Sequence, residues 1–300
     1  PSAFVWLRRQ SFTLRPQGLP FNSVDYDPNN QVAVGVGGYY RNWGGLLSLN
    51  LSALNRDPAR HGRTKSLDIQ IASYGRRYGL DLHVQAYEGF YIRNASDVVP
   101  GWRRGDVHPI RPDIRTLGIG ASAYYVFNYN QFSFRAAFIQ SERQLRSAGT
   151  WLVRPSLSFY RLKADSALLP SVPAGGAQAL GFIGGNFYTV GALAGYAHTF
   201  VYRQSYYLSL TGLPGFALTL QDYFIEDGPE VRTTRLGLRL HARIAAGANF
   251  ERWYIGAAFV TDLYSFVLDP ALSLAYGLSN LRVFVGRRIN VSGILGWGRN

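Results

Sequence analysis

Apolar and polar residues alternate along this chain in repeated runs, and this alternation restricts the folds that are open to it. In residues 78–92, for example, Leu80 and Leu82 alternate with Asp81 and His83. Successive side chains of a β-strand point to opposite faces of a sheet. Each run therefore predicts an amphipathic strand with one apolar face and one polar face.

The runs are longer than the strands of an ordinary soluble sheet. Soluble strands usually span about five or six residues, whereas a tilted strand that crosses a bilayer needs roughly nine to eleven. Aromatic residues make up 15% of the chain and lie largely near the ends of the runs, where membrane barrels carry aromatic girdles. No stretch of about eighteen continuous apolar residues suggests a transmembrane helix. We predict an all-β fold, a closed transmembrane antiparallel β-barrel in a bacterial outer membrane.

Thirteen segments fit the pattern of a strand. They are residues 4–15, 31–40, 43–54, 64–76, 78–92, 113–127, 131–143, 150–162, 187–202, 206–220, 231–248, 251–263 and 281–289. Bacterial single-chain barrels normally have an even number of strands. The alternation of short turns and long connections also breaks between Asn128 and Ser205, so either one strand there is misassigned or residues 164–186 form no ordinary loop. We expect about twelve strands.

The connections between these segments fall into two classes. Tight turns are predicted at residues 41–42, 76–77, 128–130, 203–205 and 249–250. Longer connections are predicted at residues 55–63, 93–112, 164–186, 221–230 and 264–280. In such barrels the short turns normally face the periplasm and the long loops face the exterior.

The length of 300 residues suits one barrel domain over residues 1–290, followed by a tail at 291–300. We expect that any secretion signal has been removed or lies outside the given sequence. The net charge of +13 comes almost wholly from Arg. These arginines alternate into strands and do not form one basic face, which argues against a nucleic-acid partner. The expected anions are the phosphates of membrane lipid and lipopolysaccharide, which Arg binds bidentately.

Several short strings of residues are distinctive. Residues 132–138 read FSFRAAF, and RSAG follows at 146–149 and KADS at 163–166. YGRRYG stands at 74–79 and RPDIR at 111–115. Together these strings resemble a large family of Gram-negative outer-membrane proteins that is catalogued as a domain of unknown function. The resemblance covers most of the chain, and it implies a barrel of about this size without an established activity.

Charged residues on the polar faces of the predicted strands form a candidate network in the lumen. Its cationic and imidazole members are Arg235, Arg239, Arg243, Arg135, Arg154, His241 and His83, and its carboxylates are Asp68, Asp81 and Glu88. Charges in a low-dielectric enclosure are costly unless they are paired or hydrated. They therefore either interlock with Tyr and Gln to fill a narrow lumen, or line a water-filled path that selects anions.

Three functional classes remain. A structural or accessory barrel, acting as a subunit of or partner to a larger envelope complex, fits a filled lumen and a family without a catalytic signature. A small anion-preferring channel fits a hydrated lumen. A lipid hydrolase needs a Ser and a His near the bilayer rim, and no pair here has recognisable hydrolase spacing. We expect the first class, which is not an enzyme and has no cofactor or metal, with lipid, lipopolysaccharide and other outer-membrane proteins as partners.

Overall fold

The computed structural model describes residues 2–29, 32–40, 43–49, 57–170 and 181–288. In this part of the chain the strands are β1 (Ser2–Pro16), β2 (Val24–Asp27), β3 (Val32–Tyr40), β4 (Trp43–Leu49), β5 (Lys65–Tyr74), β6 (Tyr78–Ile92), β7 (Ile110–Val126), β8 (Ala148–Lys163), β9 (Phe182–Tyr202), β10 (Tyr206–Ile225), β11 (Val231–Asn249), β12 (Trp253–Asp269) and β13 (Leu272–Arg287). Three short helices are α1 (Pro58–His61), α2 (Ala95–Val98) and α3 (Phe134–Phe138). None of these helices is long and apolar enough to cross a membrane.

The thirteen described strands form one antiparallel sheet that closes on itself, because β13 pairs with β1 along the whole of β1. Connections at residues 75–77, 203–205 and 250–252 lie at one end, named here the turn end. The connection at residues 93–109, the last residue of β8 and the first residue of β9 lie at the other, named the loop end. Long amphipathic strands can satisfy all their backbone groups in this way, since a closed barrel has no free edge.

The number of strands in the ring depends on the level of the barrel. Near the loop end β2 bridges β1 and β6, and the ring through β2 contains ten of the described strands. Toward the turn end β3, β4 and β5 occupy the same gap, and the ring through them contains twelve. The closed antiparallel barrel is confirmed. The count differs slightly from the prediction of about twelve, since the described sheet has thirteen strands and the ring through β2 has ten.

Two predictions about the local structure are wrong. Residues 131–143 do not form a strand, because they hold α3 and an irregular connection between β7 and β8. Without this segment, successive described strands from β5 to β13 run alternately toward the two ends of the barrel. The predicted long connection at 264–280 is strand instead, since β12 and β13 continue to a two-residue turn at Pro270 and Ala271. Conversely, no strand is predicted from the sequence where β2 lies. Predictions for residues 31, 41–42, 50–56, 171–180 and 289–300 lie outside the described residues.

The predicted faces are present on the strands. On β11 the side chains of Leu236 and Leu238 are exposed on the outer surface, each with 65% of its area accessible. Arg239, His241 and Arg243 alternate with this outer series and are buried inside the barrel. Comparable outward series on β8, β9 and β10 make the outer surface an apolar band.

The interior is filled by two clusters of large side chains. The cluster nearer the loop end joins opposite walls, since the ring of Tyr160 on β8 stacks on that of Tyr276 on β13 at a centroid distance of 4.0 Å. The cluster at the turn end surrounds Phe132 and Phe134, which precede and begin α3. A layer of charged side chains lies between these two clusters.

Candidate functional site

Asp262 on β12 is the centre of the charged layer. Arg154 on β8 donates to it with both terminal nitrogens, at 2.7 and 3.2 Å. Arg239 reaches the same carboxylate with Nη2 at 3.4 Å, and Nδ1 of His241 lies 3.0 Å from Oδ2. One carboxylate therefore holds three cationic or imidazole groups, a bidentate arginine among them, and this bidentate geometry gives a strong ion pair.

Arg243 extends the layer to the opposite wall. Its Nη2 lies 2.6 Å from both Oδ2 of Asp81 on β6 and the hydroxyl of Tyr124 on β7. Its Nε donates to Nε2 of His241 at 2.8 Å, and the hydroxyl of Tyr74 donates to Asp81. The layer is thus a continuous chain of contacts from β6, through Arg243 and His241 on β11, to β12.

These contacts determine the state of His241. Because Nε2 accepts a hydrogen bond from Arg243, the ring proton lies on Nδ1, which points toward Asp262. The imidazole is then neutral, with Nε2 hydrogen-bonded to Arg243 and Nδ1 facing the carboxylate of Asp262. The layer holds Arg154, Arg239 and Arg243 against Asp81 and Asp262, so hydrogen bonds and aromatic rings must also stabilise its positive charge.

Aromatic rings supply part of that stabilisation. The guanidinium of Arg239 lies 3.9 Å from the ring centroid of Tyr264, and that of Arg154 lies 5.4 Å from the centroid of Tyr124. Arg239 also donates to the hydroxyl of Ser156. Cations over aromatic faces are attracted more strongly when water is excluded, as it is for these buried arginines.

The structure brings together five of the ten predicted network residues: Arg154, Arg239, His241, Arg243 and Asp81. Asp68 is buried apart from them, where it accepts hydrogen bonds from Gln85 at 2.8 Å and from the hydroxyl of Tyr87 at 3.4 Å. His83 lies against Gly120, in the space that a Cβ on this glycine would occupy.

Three of the predicted network residues lie elsewhere. Glu88 follows Asp81 by an odd number of residues, so it faces outward on β6, where it lies 3.6 Å from Arg115. Arg135 belongs to α3, where it pairs with Glu142 at 3.1 Å. Arg235 lies toward the loop end of β11 and is exposed.

Sequence reasoning misses the anionic centre of the layer. Asp262 falls within the predicted strand 251–263, on the same face as Tyr264, but nothing in the local pattern marks it as the partner of an arginine on β8. Tyr74 and Tyr124 are missed for the same reason. The face of each residue could be read from the period of two, whereas its cross-lumen partner could not.

Residues 127–147, named here the plug segment, close the turn end of the lumen. The hydroxyl of Ser133 caps α3 by accepting a hydrogen bond from the backbone N–H of Ala136 at 3.2 Å. The ring of Phe134 packs against that of Tyr74, with the centroids 5.2 Å apart. The guanidinium of Arg243 lies 5.1 Å from the centroid of Phe134, so the plug segment touches the charged layer directly.

Arg288, which follows β13, fastens the plug segment to the barrel. Its guanidinium donates to the carbonyl oxygen of Gln140 at 2.7 and 3.1 Å and also bonds to Asn249. Burial lowers the pKa of Arg288 from its usual value. The side chain of Gln140 in turn donates to the hydroxyl of Tyr207 at 3.2 Å. The plug segment is therefore held from the barrel wall as well as by its own packing.

Within the described ranges no group of three or more His, Asp or Glu side chains is placed to hold a metal ion.

The chain matches the family described as "Domain of unknown function (DUF4421)" over residues 8–288. No curated protein matches it. Among solved structures it is similar to the outer membrane protease OmpT of Escherichia coli, with 7% identity and a TM-score of 0.44 over 96% of this chain and 95% of that one. It is also similar to the monoaromatic hydrocarbon channel TodX, with 9% identity and a TM-score of 0.32 over 96% and 90% of the two chains. The ferric citrate transporter FecA matches with 12% identity and a TM-score of 0.28, over 97% of this chain and 43% of that one. These similarities are too distant to bear on function.

Proposed function

The chain belongs to the DUF4421 family, and we propose that it is an outer-membrane barrel with a structural or accessory role, a subunit of or partner to a larger envelope complex. Its lumen does not serve as a solute path in this proposal. The family carries no activity to transfer, so the argument rests on the chain's own surface and interior.

The outer surface supports the membrane location. An apolar band covers the outward faces of the strands, and exposed aromatic side chains gather around the turn end. They are Tyr78, Phe127, Trp151, Tyr202, Tyr206, Phe250 and Trp253. Such a girdle is typical of the level at which a barrel meets the lipid headgroups. With the short turns in the periplasm, the loop end faces the exterior.

The cross-lumen charged layer is the observation that carries the structural role. The ion pairs Arg154–Asp262 and Arg243–Asp81 join opposite walls, and the plug segment packs beneath them. An arginine that lines an aqueous path must present its guanidinium to water, whereas Arg154, Arg239 and Arg243 are buried. The geometry therefore favours the interlocked lumen over the anion channel.

The histidine contacts favour a non-enzymatic role. The lone pair on Nε2 of His241 accepts a hydrogen bond from Arg243, and Nδ1 faces Asp262 in the buried layer, so this imidazole has no lone pair available for general-base work. In the loops, the rings of His61 and His108 stack at 4.8 Å, and Nδ1 of His108 contacts the carbonyl oxygen of Ile92 at 2.8 Å. These contacts are of the kind that hold a loop in place.

Conductance measurements test the proposal. We expect wild-type protein, reconstituted into planar lipid bilayers, to show no sustained openings. The control variant Arg235→Gln, which changes an exposed arginine, should also show none. Insertion is verified in parallel by faster gel migration of the unheated barrel. Stable anion-selective openings that lose their selectivity in an Arg239→Gln variant would reject the proposal and establish a channel.

A second experiment tests the accessory role. We expect the protein to migrate as a larger assembly when it is extracted from its own membrane in mild detergent.

A further inference from the structure

The outer wall of the barrel carries an apolar groove. It has a volume of about 830 Å³ and extends over strands β5 to β11. Its lining includes Ile69, Leu82, Ile119, Leu157, Val190 and Leu218. The volume lies within the range of about 300 to 1,000 Å³ that is typical of specific ligand sites. The groove is open along the outer wall, so it is accessible from the lipid side of the band.

Glycines on β7 leave room for side chains of other strands on the inner side of the wall that carries the groove. A Cβ on Gly120 would meet the ring of His83 at 2.2 Å, and a Cβ on Gly118 would meet the hydroxyl of Tyr276 at 3.1 Å. Tyr276 belongs to β13 in the opposite wall. Side chains of β6 and β13 therefore pack against the inner face of β7 at positions where a Cβ would crowd them.

A row of charged residues lies on the loop-end side of the groove. The strand register places Lys65, Glu88, Arg115 and Lys163 side by side on β5, β6, β7 and β8, which are four of the strands that form the groove. Three of the four are basic, and the guanidinium-bearing side chain of Arg115 is 65% exposed. The row therefore has a net positive charge at the end of the apolar surface.

Arg161 lies between the groove and this row of charged residues, named here the basic row because of its net positive charge. Its guanidinium lies 5.5 Å from the ring centroid of Phe159, which lines the groove, and it donates to the neutral amide oxygen of Asn186 at 2.7 Å. A strand rises about 3.4 Å per residue, so Lys163 lies roughly 7 Å further toward the loop end. An anionic headgroup at this level would have its acyl chains next to the groove.

We propose that the groove and the basic row bind one phosphorylated, multiply acylated glycolipid of the lipid A class. The acyl chains occupy the groove, and Arg115, Arg161 and Lys163 hold a phosphate. Charge complementarity selects this occupant, because a zwitterionic or neutral lipid leaves the net charge of the row uncompensated. The inference rests on the proposed membrane location with the loop end outside, which places the basic row in the outer leaflet.

Binding by the purified barrel in mild detergent tests the site, with native mass spectrometry to count bound lipids. The probes are lipid A, dephosphorylated lipid A, phosphatidylcholine and inorganic phosphate. We expect one lipid A per barrel, much weaker binding of the other two lipids, and no competition by inorganic phosphate. Equal occupancy by phosphatidylcholine or dephosphorylated lipid A would overturn the proposal, and so would competition by phosphate alone at millimolar concentration.

Paired variants separate the headgroup from the acyl chains. An Arg161→Gln/Lys163→Gln variant should lose at least about tenfold in lipid A affinity, because each charge-assisted hydrogen bond contributes substantially. An Arg103→Gln/Arg104→Gln variant removes the same amount of charge from a loop at the same end of the barrel and should bind lipid A normally.

A second pair of variants tests the groove. Ala121→Trp fills the groove and should weaken lipid A binding. Ala123→Trp is the control, because it changes the same outward face of β7 outside the groove lining and should leave binding unchanged.

Each variant is checked for faster gel migration when unheated, so that loss of folding is not mistaken for loss of binding. Unchanged affinity in both folded test variants would reject the site. The result of the lipid-binding test is independent of the conductance test, because conductance depends on the lumen and not on the outer wall. If the barrel conducts ions and binds lipid A, only the proposed structural role is refuted. If it shows no conductance and no lipid selectivity, only the proposed lipid A site is refuted.

Discussion

Arg154 on β8 and Asp262 on β12 form a bidentate ion pair across the lumen, with nitrogen-to-oxygen distances of 2.7 and 3.2 Å. The pair joins walls that are separated by three strands along the sheet. Because Asp262 also contacts Arg239 and His241, it is the anion on which this part of the charged layer depends.

An Asp262→Asn variant should be markedly less stable than wild type. The change leaves Arg154 and Arg239 buried without a compensating charge, and breaking a buried pair in this way costs about 3 to 5 kcal/mol. The measurement is urea-induced unfolding in lipid vesicles, followed by tryptophan fluorescence. Glu251→Gln is the control, since Glu251 is 88% exposed and should change stability by no more than about 0.5 kcal/mol. A loss as small as that of the control would show that the layer is hydrated.

A Leu238→Arg variant tests the outer face. If Leu238 lies near the bilayer midplane, the arginine should destabilise the folded barrel by about 2 to 4 kcal/mol in lipid vesicles. Leu238→Val, which keeps the side chain apolar, is the matched control. Gly237 is unsuitable as a control on the inner face, because a Cβ there would lie 2.4 Å from the carbonyl oxygen of Ser265. Equal stability of the two Leu238 variants would contradict the assignment of this surface to lipid.

An Arg288→Gln variant should loosen the plug segment without opening the barrel wall. The change removes charge-assisted hydrogen bonds to Gln140 and Asn249, each worth about 1.5 to 3 kcal/mol. Trypsin should then cleave after Arg143 or Arg146 at least about tenfold faster, since cleavage tracks the population of the open segment. Arg287→Gln is the control, because Arg287 stacks over Trp253 outside the lumen. The same cleavage rate in both variants would mean that the plug segment is held by its packing alone.

A Gly89→Ala variant should disturb the bulge in β6. Gly89 has a φ of 90°, and a Cβ there would lie 2.2 Å from the carbonyl oxygen of Arg63. Backbone strain of this kind costs about 1 to 3 kcal/mol, and the clash adds to it. Gly101→Ala is a matched control with a φ of 79° and open space around the added Cβ. Thermal unfolding followed by gel migration should separate the two variants; coincident midpoints would show that Arg63 moves away freely.

In the plug segment the local sequence pattern predicts a structure that differs from the one in the folded protein. In residues 132–138 the phenylalanines fit the period of two, yet Phe134–Phe138 is a helix that Ser133 caps. A strand needs an edge to pair with, and the edges of β7 and β8 on either side of this segment are occupied by each other. The segment therefore cannot join the wall, and it buries its aromatic side chains inside the turn end.

The sequence by itself determined the fold class and the two faces of most strands. Whether a side chain of β11 points to lipid or to lumen depends only on the alternating geometry of its own backbone, so Leu238 and Arg239 could be assigned without knowledge of any other strand. The partners of the lumen charges were decided by the tertiary structure alone. Asp262 meets Arg154, and Asp81 meets Arg243, because closure of the ring brings opposite walls within hydrogen-bonding distance, and the closed geometry is a property of the whole sheet and not of any local segment.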